Sequence, residues 1–211
     1  MTSNADTERA ALCDLLDELG PDAPTLCEGW RTRDLATHLY VRDRQPKAWA
    51  GIAVGRLSGL ADKAMAEQAD RPYPEIVAAV RAGAPKWSPM GMPGAKEAVN
   101  LLEFTIHHED VRRAQQGWGP RAVPAALADG VWRSIRFGAR ATLRRAPDGV
   151  VLRRAGTDAS VVGKKGELTV TVVGDPVELA LFTSGRQGAA RVDLSGDDAA
   201  VSRLLATPLG L

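Results

Sequence analysis

Leu101-Leu102-Glu103-Phe104-Thr105-Ile106-His107-His108-Glu109-Asp110 is the stretch on which the reading of this chain turns. It lies within residues 95–115, a run free of Pro and Gly and long enough for a central helix. On that helix Leu102 and Ile106 mark an apolar stripe, while Asn100, Glu103, His107 and Asp110 share a neighbouring polar one. Residues four apart project from the same face, so Glu103 and His107 can share one ion. The chain has three histidines, and the third, His38, falls in Asp34-Leu35-Ala36-Thr37-His38-Leu39 on a second amphipathic run. Packing of the two helices would complete a site of two histidines and one carboxylate, a donor set suited to zinc or another divalent first-row metal. Spacing alone equally accommodates a hydrogen-bonded histidine at position 38 and an intrahelical Glu103–His107 pair. His108 points about 100° away round the helix, toward solvent or a neighbour.

Working outward, Leu12, Leu15, Leu16 and Leu19 keep helical spacing after a Ser3 or Asn4 cap, and Gly20-Pro21 ends that run. Thr32 is the expected N-cap of the next helix, which carries Leu35, His38, Leu39 and Arg42 on one face and extends toward Pro46. An apolar, Gly-containing stretch from Trp49 to Leu60 follows, then a short helix opened by Pro74. The Pro- and Gly-rich run Ala84 to Gly94 predicts a loop able to border a pocket. Pro124 opens a further helix through Leu127, Val131, Trp132 and Ile135 to about Arg144.

Beyond Pro147-Asp148-Gly149 the pattern changes. Val150-Val151-Leu152 and the alternating run Glu167 to Val173 predict strands, with Gly163-Lys164-Lys165-Gly166 supplying turn residues. Asp175-Pro176 begins another helix, Arg191 to Leu194 another strand, and Asp197 caps a last helix. The expected architecture is mainly α: a metal-binding helical bundle over residues 1–145 and a small C-terminal α/β domain over residues 146–211.

Composition narrows the function classes. Lys plus Arg (27) and Asp plus Glu (26) leave a formal net charge of +1, so no global field draws the chain to nucleic acid or an anionic membrane. There is no signal-peptide pattern and no apolar run that would span a bilayer, so a cytoplasmic protein is the expectation. Cys13 and Cys27 are too few for a disulfide framework and lack close zinc-type spacing. Cys27 is expected to be a small buried residue, with a reactive thiol as the alternative. Arg112-Arg113 and Arg144-Arg145 are expected to favour helix C-terminal ends and solubility. No H-E-x-x-H, G-x-S-x-G or complete phosphate loop is present.

The stretch Leu26-Cys27-Glu28-Gly29-Trp30-Arg31-Thr32-Arg33-Asp34-Leu35-Ala36-Thr37-His38-Leu39, joined to Glu103-Phe104-Thr105-Ile106-His107, resembles the mycothiol-dependent maleylpyruvate isomerase family of the DinB/YfiT-like superfamily. The resemblance implies a DinB-like four-helix bundle followed by a small α/β domain, with His38, Glu103 and His107 in the metal-ligand positions. It also implies a divalent ion, zinc first, that activates a low-molecular-weight thiol such as mycothiol. Transient addition of the thiolate to an activated alkene would then permit bond rotation and expulsion of the thiol. A looser likeness covers Val172 to Leu179 and Ser184-Gly185-Arg186, where Arg186 either orients a carboxylate substrate, as a catalytic group, or closes a helix end. Three classes remain open: a metal- and thiol-dependent transferase or isomerase acting on an electrophilic substrate, a non-catalytic metal or small-molecule binding protein, and a structural or interaction protein.

Overall fold

A computed structural model describes residues 3–45, 58–91 and 95–210. They fall into two compact units, one ending at Arg121 and the other beginning at Ala122. No helix among the described residues is long and apolar enough to cross a membrane.

The first unit is helical. Helix α1 (Asn4–Leu19) starts where Ser3 Oγ accepts a hydrogen bond from the Asp6 amide at 3.1 Å. It stops at Gly20, whose φ of 73° admits only a residue without Cβ strain and whose N–H donates to the Leu16 carbonyl. Helix α2 (Thr32–Arg44) is capped at Arg31, whose amide donates to Asp34 Oδ2 at 2.8 Å. Thr32 is therefore the first helical residue and not the cap expected from sequence. Its hydroxyl donates instead to the Gly20 carbonyl at 2.5 Å, tying the start of α2 to the end of α1. Helices α3 (Ser58–Ala66) and α4 (Tyr73–Ala82) follow, the latter with Pro74 in its first turn. The expected loop contains a short 3₁₀ turn (Pro89–Gly91), and α5 (Ala95–Arg113) is the long central helix. Most of the stretch from Trp49 to Leu60, and positions 92–94, lie outside the described residues.

Helices α1, α2, α4 and α5 form the bundle. Leu12 and Leu16, Leu35 and Leu39, Ile76 and Val80, and Phe104 and Val111 supply its core, all essentially inaccessible. Tyr73 keeps its polar end satisfied there by donating to the Leu16 carbonyl at 2.8 Å. Burial pushes the Cys13 thiol up to about 12, so this cysteine behaves as a packed apolar group.

A buried charge cluster locks α1 to α5. Glu8 Oε1 meets His108 Nδ1 at 2.9 Å and also pairs with Arg121. Glu109, fully buried, accepts from Arg113 Nε at 2.6 Å, Arg121 Nε at 2.7 Å and Arg112 Nη1 at 2.9 Å. Arg113 is itself buried and stacks over Trp118 at 4.7 Å, so it does not serve the solubility role expected for a helix-end arginine. A guanidinium can be buried here because a carboxylate and an aromatic face both receive it.

The second unit is α/β. Helix α6 (Ala125–Thr142), strands β1 (Gly149–Arg154), β2 (Ser160–Lys164) and β3 (Thr169–Gly174), helix α7 (Pro176–Thr183), strand β4 (Asp193–Ser195) and helix α8 (Asp198–Ala206) follow in order. The sheet runs β2-β1-β3-β4, with β1 and β3 parallel and both outer pairings antiparallel. Helix α6 packs on α7 and β2, so the compact unit begins before it and not near residue 145, where the sequence pattern changes. Gly163 and Lys164 belong to β2 and not to a turn. Gly163 is there for closeness, since a Cβ would collide with the buried Leu143 side chain. Asp197 Oδ1 caps α8 by accepting from the Ala200 amide at 2.9 Å, as expected.

Two stability outcomes follow from the first unit. Leu16→Ala should lower unfolding free energy by about 2–5 kcal/mol in chemical denaturation, because a close-packed site collapses only in part. Burial acts to raise the Glu8 carboxyl, but His108 and Arg121 outweigh it and hold the group below its usual 4.5. A depressed folded value means that its contribution is present above that pH and is lost as pH falls through the folded value. Glu8→Gln should therefore cost about 1–3 kcal/mol at neutral pH and flatten the loss of stability as the pH falls below the usual carboxyl value of 4.5. An unchanged acid profile would show that the Glu8 carboxylate contributes nothing to folding.

Candidate metal centre

The site grows from two helix faces whose other sides are committed to the core. On α2, Leu35 and Leu39 are buried in the bundle, which fixes the rotation of the helix and the direction of His38. On α5, Phe104 and Val111 do the same for Glu103, His107 and Asp110. His38 Nε2 lies 3.1 Å from Glu103 Oε1, and His107 Nε2 lies 3.4 Å from the same oxygen. The three ligand atoms all fall within 4.8 Å of one another. Donors about 2.0–2.2 Å from a tetrahedral ion lie roughly 3.3–3.6 Å apart, so the 3.4 Å edge falls in that range and the 3.1 Å edge is a few tenths of an ångström short of it. The residues present thus fit a metal, on donor type and on spacing.

Surrounding groups orient these donors. His107 Nδ1 meets Asp110 Oδ2 at 3.0 Å, and Asp110 is fully buried. A carboxylate on one ring nitrogen holds the tautomer that directs the lone pair of the other outward, the usual support of a metal-bound histidine. The His38 ring packs against Trp30 with centroids 5.1 Å apart. Trp30 is held in its loop because Thr25 Oγ1 donates to its carbonyl at 2.9 Å, and the Leu26 amide donates to the Asp110 carbonyl at 3.0 Å. Arg42, one turn beyond His38, places Nε 3.4 Å from Glu103 Oε1 while Nη2 donates to Asn100 Oδ1 at 2.7 Å. Asn100 in turn donates to the Met90 carbonyl at 3.0 Å, which attaches the 3₁₀ turn to the cluster.

Electrostatics divides the three groups. Burial would raise the Glu103 carboxyl, but the Arg42 cation and the contacts from His107 and His38 overcome it and hold the group well below its usual range. Burial dominates at His38 and lowers its value despite the Glu103 contact. At His107 burial again acts to lower it, and the contacts with Asp110, Cys27 and Glu103 reverse that and raise it. Glu103 is thus held in its ionised form and His38 in its neutral one. The Glu103 side chain is 25% accessible against 10% and 11% for the two histidines, so the carboxylate marks the open edge of the site.

The structure brings His38, Glu103 and His107 together as the sequence suggests. Cys27 is partly buried, and its Sγ donates to Asp110 Oδ2 at 3.2 Å on the Nδ1 side of His107, away from the Nε2 set. His108 faces Glu8 and not solvent. Arg186 lies in the second unit, just past α7, where its Nη1 donates to the Ser184 carbonyl at 2.6 Å and its amide to the Leu181 carbonyl at 3.0 Å. Arg42 and Asp110 are the site residues to which sequence reasoning gave no role. Both were legible as sharing faces with His38 and His107, but only distance distinguishes an orienting group from a solvated one.

Comparison with known proteins places the chain in a family. Residues 3–112, which include all three candidate ligands and exclude Arg186, match the mycothiol maleylpyruvate isomerase N-terminal domain. A comparison with curated proteins finds no match. Among solved structures, that of the mycothiol-dependent maleylpyruvate isomerase aligns with a TM-score of 0.57 at 15% identity, covering 90% of this chain and 88% of that one. A histidine-to-alanine variant of the same enzyme aligns with a TM-score of 0.59 at 16% identity over the same shares. Identity at that level speaks for the fold, mainly α with a DinB-like four-helix bundle and a small α/β unit. The family match itself covers more than half of the 211 residues. The chain therefore belongs to the family defined by the mycothiol maleylpyruvate isomerase N-terminal domain.

Proposed function

We propose that the protein binds one divalent metal ion, zinc by preference, through His38, Glu103 and His107, and uses it as a thiol-dependent transferase or isomerase. The observation that carries this reading is the convergence of His38 Nε2 and His107 Nε2 on Glu103 Oε1 at 3.1 and 3.4 Å. When bound, the ion supplies Lewis acidity, which lowers the pKa of a thiol and makes a nucleophilic thiolate available at neutral pH.

The chain's own residues do the rest. Arg42 keeps Glu103 ionised, and Asp110 fixes the His107 ring. Trp30 shields one side of His38 from water. Three protein donors leave a fourth tetrahedral position, and the accessible edge at Glu103 gives a small molecule a way to reach it. Family membership supports mycothiol or a similar thiol as the co-substrate, with a small electrophile as its partner.

Two measurements test the reading. Purified protein loaded with zinc and desalted should retain about one ion per chain, and His38→Ala/His107→Ala should retain less than about a tenth of that. Unchanged metal content in the double variant would refute the ligand assignment. Zinc-loaded protein supplied with mycothiol should modify an electrophilic substrate, and Glu103→Ala should lower the rate by at least roughly 100-fold. Metal retention without activity across thiols and electrophiles would instead support a non-catalytic binding protein.

A further inference from the structure

We propose that Cys27, His107 and Asp110 form a second metal-binding site, for a thiophilic divalent cation, that competes with the first site for the His107 imidazole. The donors are Cys27 Sγ, His107 Nδ1 and Asp110 Oδ2. Sγ lies 3.2 Å from Oδ2 and 3.9 Å from Nδ1, and Nδ1 lies 3.0 Å from Oδ2. The three atoms lie within 4.8 Å of one another. A tetrahedral ion with sulfur at about 2.3 Å and nitrogen or oxygen at about 2.0–2.1 Å needs edges of roughly 3.3–3.6 Å, so shifts of a few tenths of an ångström close the shell.

The backbone already presents these groups to one another. The Leu26 amide donates to the Asp110 carbonyl at 3.0 Å, anchoring the loop on α5 beside Cys27. The Cys27 amide donates to Thr25 Oγ1 at 3.1 Å, and its carbonyl accepts from Trp30 at 3.0 Å. One sulfur, one imidazole and one carboxylate favour a soft or borderline ion over magnesium or calcium.

Competition follows from the shared ring. A neutral imidazole has one lone pair, so an ion at Nε2 requires the proton on Nδ1, where Asp110 receives it. An ion at Nδ1 requires the proton on Nε2, where Glu103 Oε1 stands 3.4 Å away. Capture by the second set releases the Cys27 thiol proton to solvent, forms the sulfur–metal bond and removes the Asp110 contact that supports the first set. No oxidation or reduction is involved. The site stands on its own geometry, and only the competition rests on the function proposed above.

Cadmium is the probe, because its bond to a thiolate gives an ultraviolet charge-transfer band. Cys13 cannot supply that signal, being fully buried with its thiol raised to about 12. Titration of the wild type with cadmium should produce the band, Cys27→Ser should abolish it, and Glu103→Gln should retain it. With zinc-loaded wild type, zinc should be released one for one as the band grows. No band in the wild type, or a band that survives in Cys27→Ser, overturns the site. Zinc and cadmium held together at two ions per chain overturn the competition. A Cys27-dependent band in protein that never binds zinc supports this site and separates it from the failure of the first.

Discussion

Glu103 Oε1 is the atom on which the arrangement depends, because three cationic or polar donors from two helices are directed at one carboxylate oxygen. His38, His107 and Arg42 approach it at 3.1, 3.4 and 3.4 Å. An ionised carboxylate in a largely buried position is tolerated only where such partners repay its lost hydration. The bundle core provides that condition indirectly. Leu35 and Leu39 on α2, and Phe104 and Val111 on α5, fix the rotation of each helix, and the polar stripes are then forced to face each other.

The same logic explains why polar residues are so heavily buried beside the apolar core. Asn100, Glu109, Asp110, Arg42 and Arg113 are nearly inaccessible, yet each has a hydrogen-bonding or ionic partner. Such groups hold a site rigidly because any displacement breaks a bond that water cannot replace. The loop containing Cys27 and Trp30 is secured to α5 in this way and forms one wall of the site. Support of this kind lets a small shell of three donors keep its geometry while one edge stays open.

Much of this was legible in sequence because periodicity and capping are local. The bounds of α1, the uninterrupted α5 and the strand character of Thr169 to Val173 follow from residue spacing, and so does the shared face of Glu103 and His107. What periodicity does not encode is the partner of a buried face. Leu127, Val131 and Ile135 identify α6 as amphipathic but do not say that its neighbours are α7 and β2, which places that helix in the second unit. Gly163 and Lys164 signal a turn in the sequence but end strand β2 in the structure, where Gly163 is the inward position and packs against Leu143. Arg113 looks solvated from its place at a helix end, and its partners Glu109 and Trp118 can be recognised only after the chain has folded round them. Thr32 has the side chain of an N-cap, but its hydroxyl is engaged across the loop by the Gly20 carbonyl and the cap falls one residue earlier, at Arg31.

The central claim is that this cluster is a metal site held through the Nε2 atoms of two histidines and one carboxylate oxygen. Anomalous diffraction at the zinc edge from a crystal of zinc-loaded protein tests it most directly. The account predicts one peak about 2.0–2.2 Å from His38 Nε2, Glu103 Oε1 and His107 Nε2, with Asp110 still bonded to His107 Nδ1. A saturating zinc soak that leaves this position empty, or places the ion elsewhere on the chain, would contradict it.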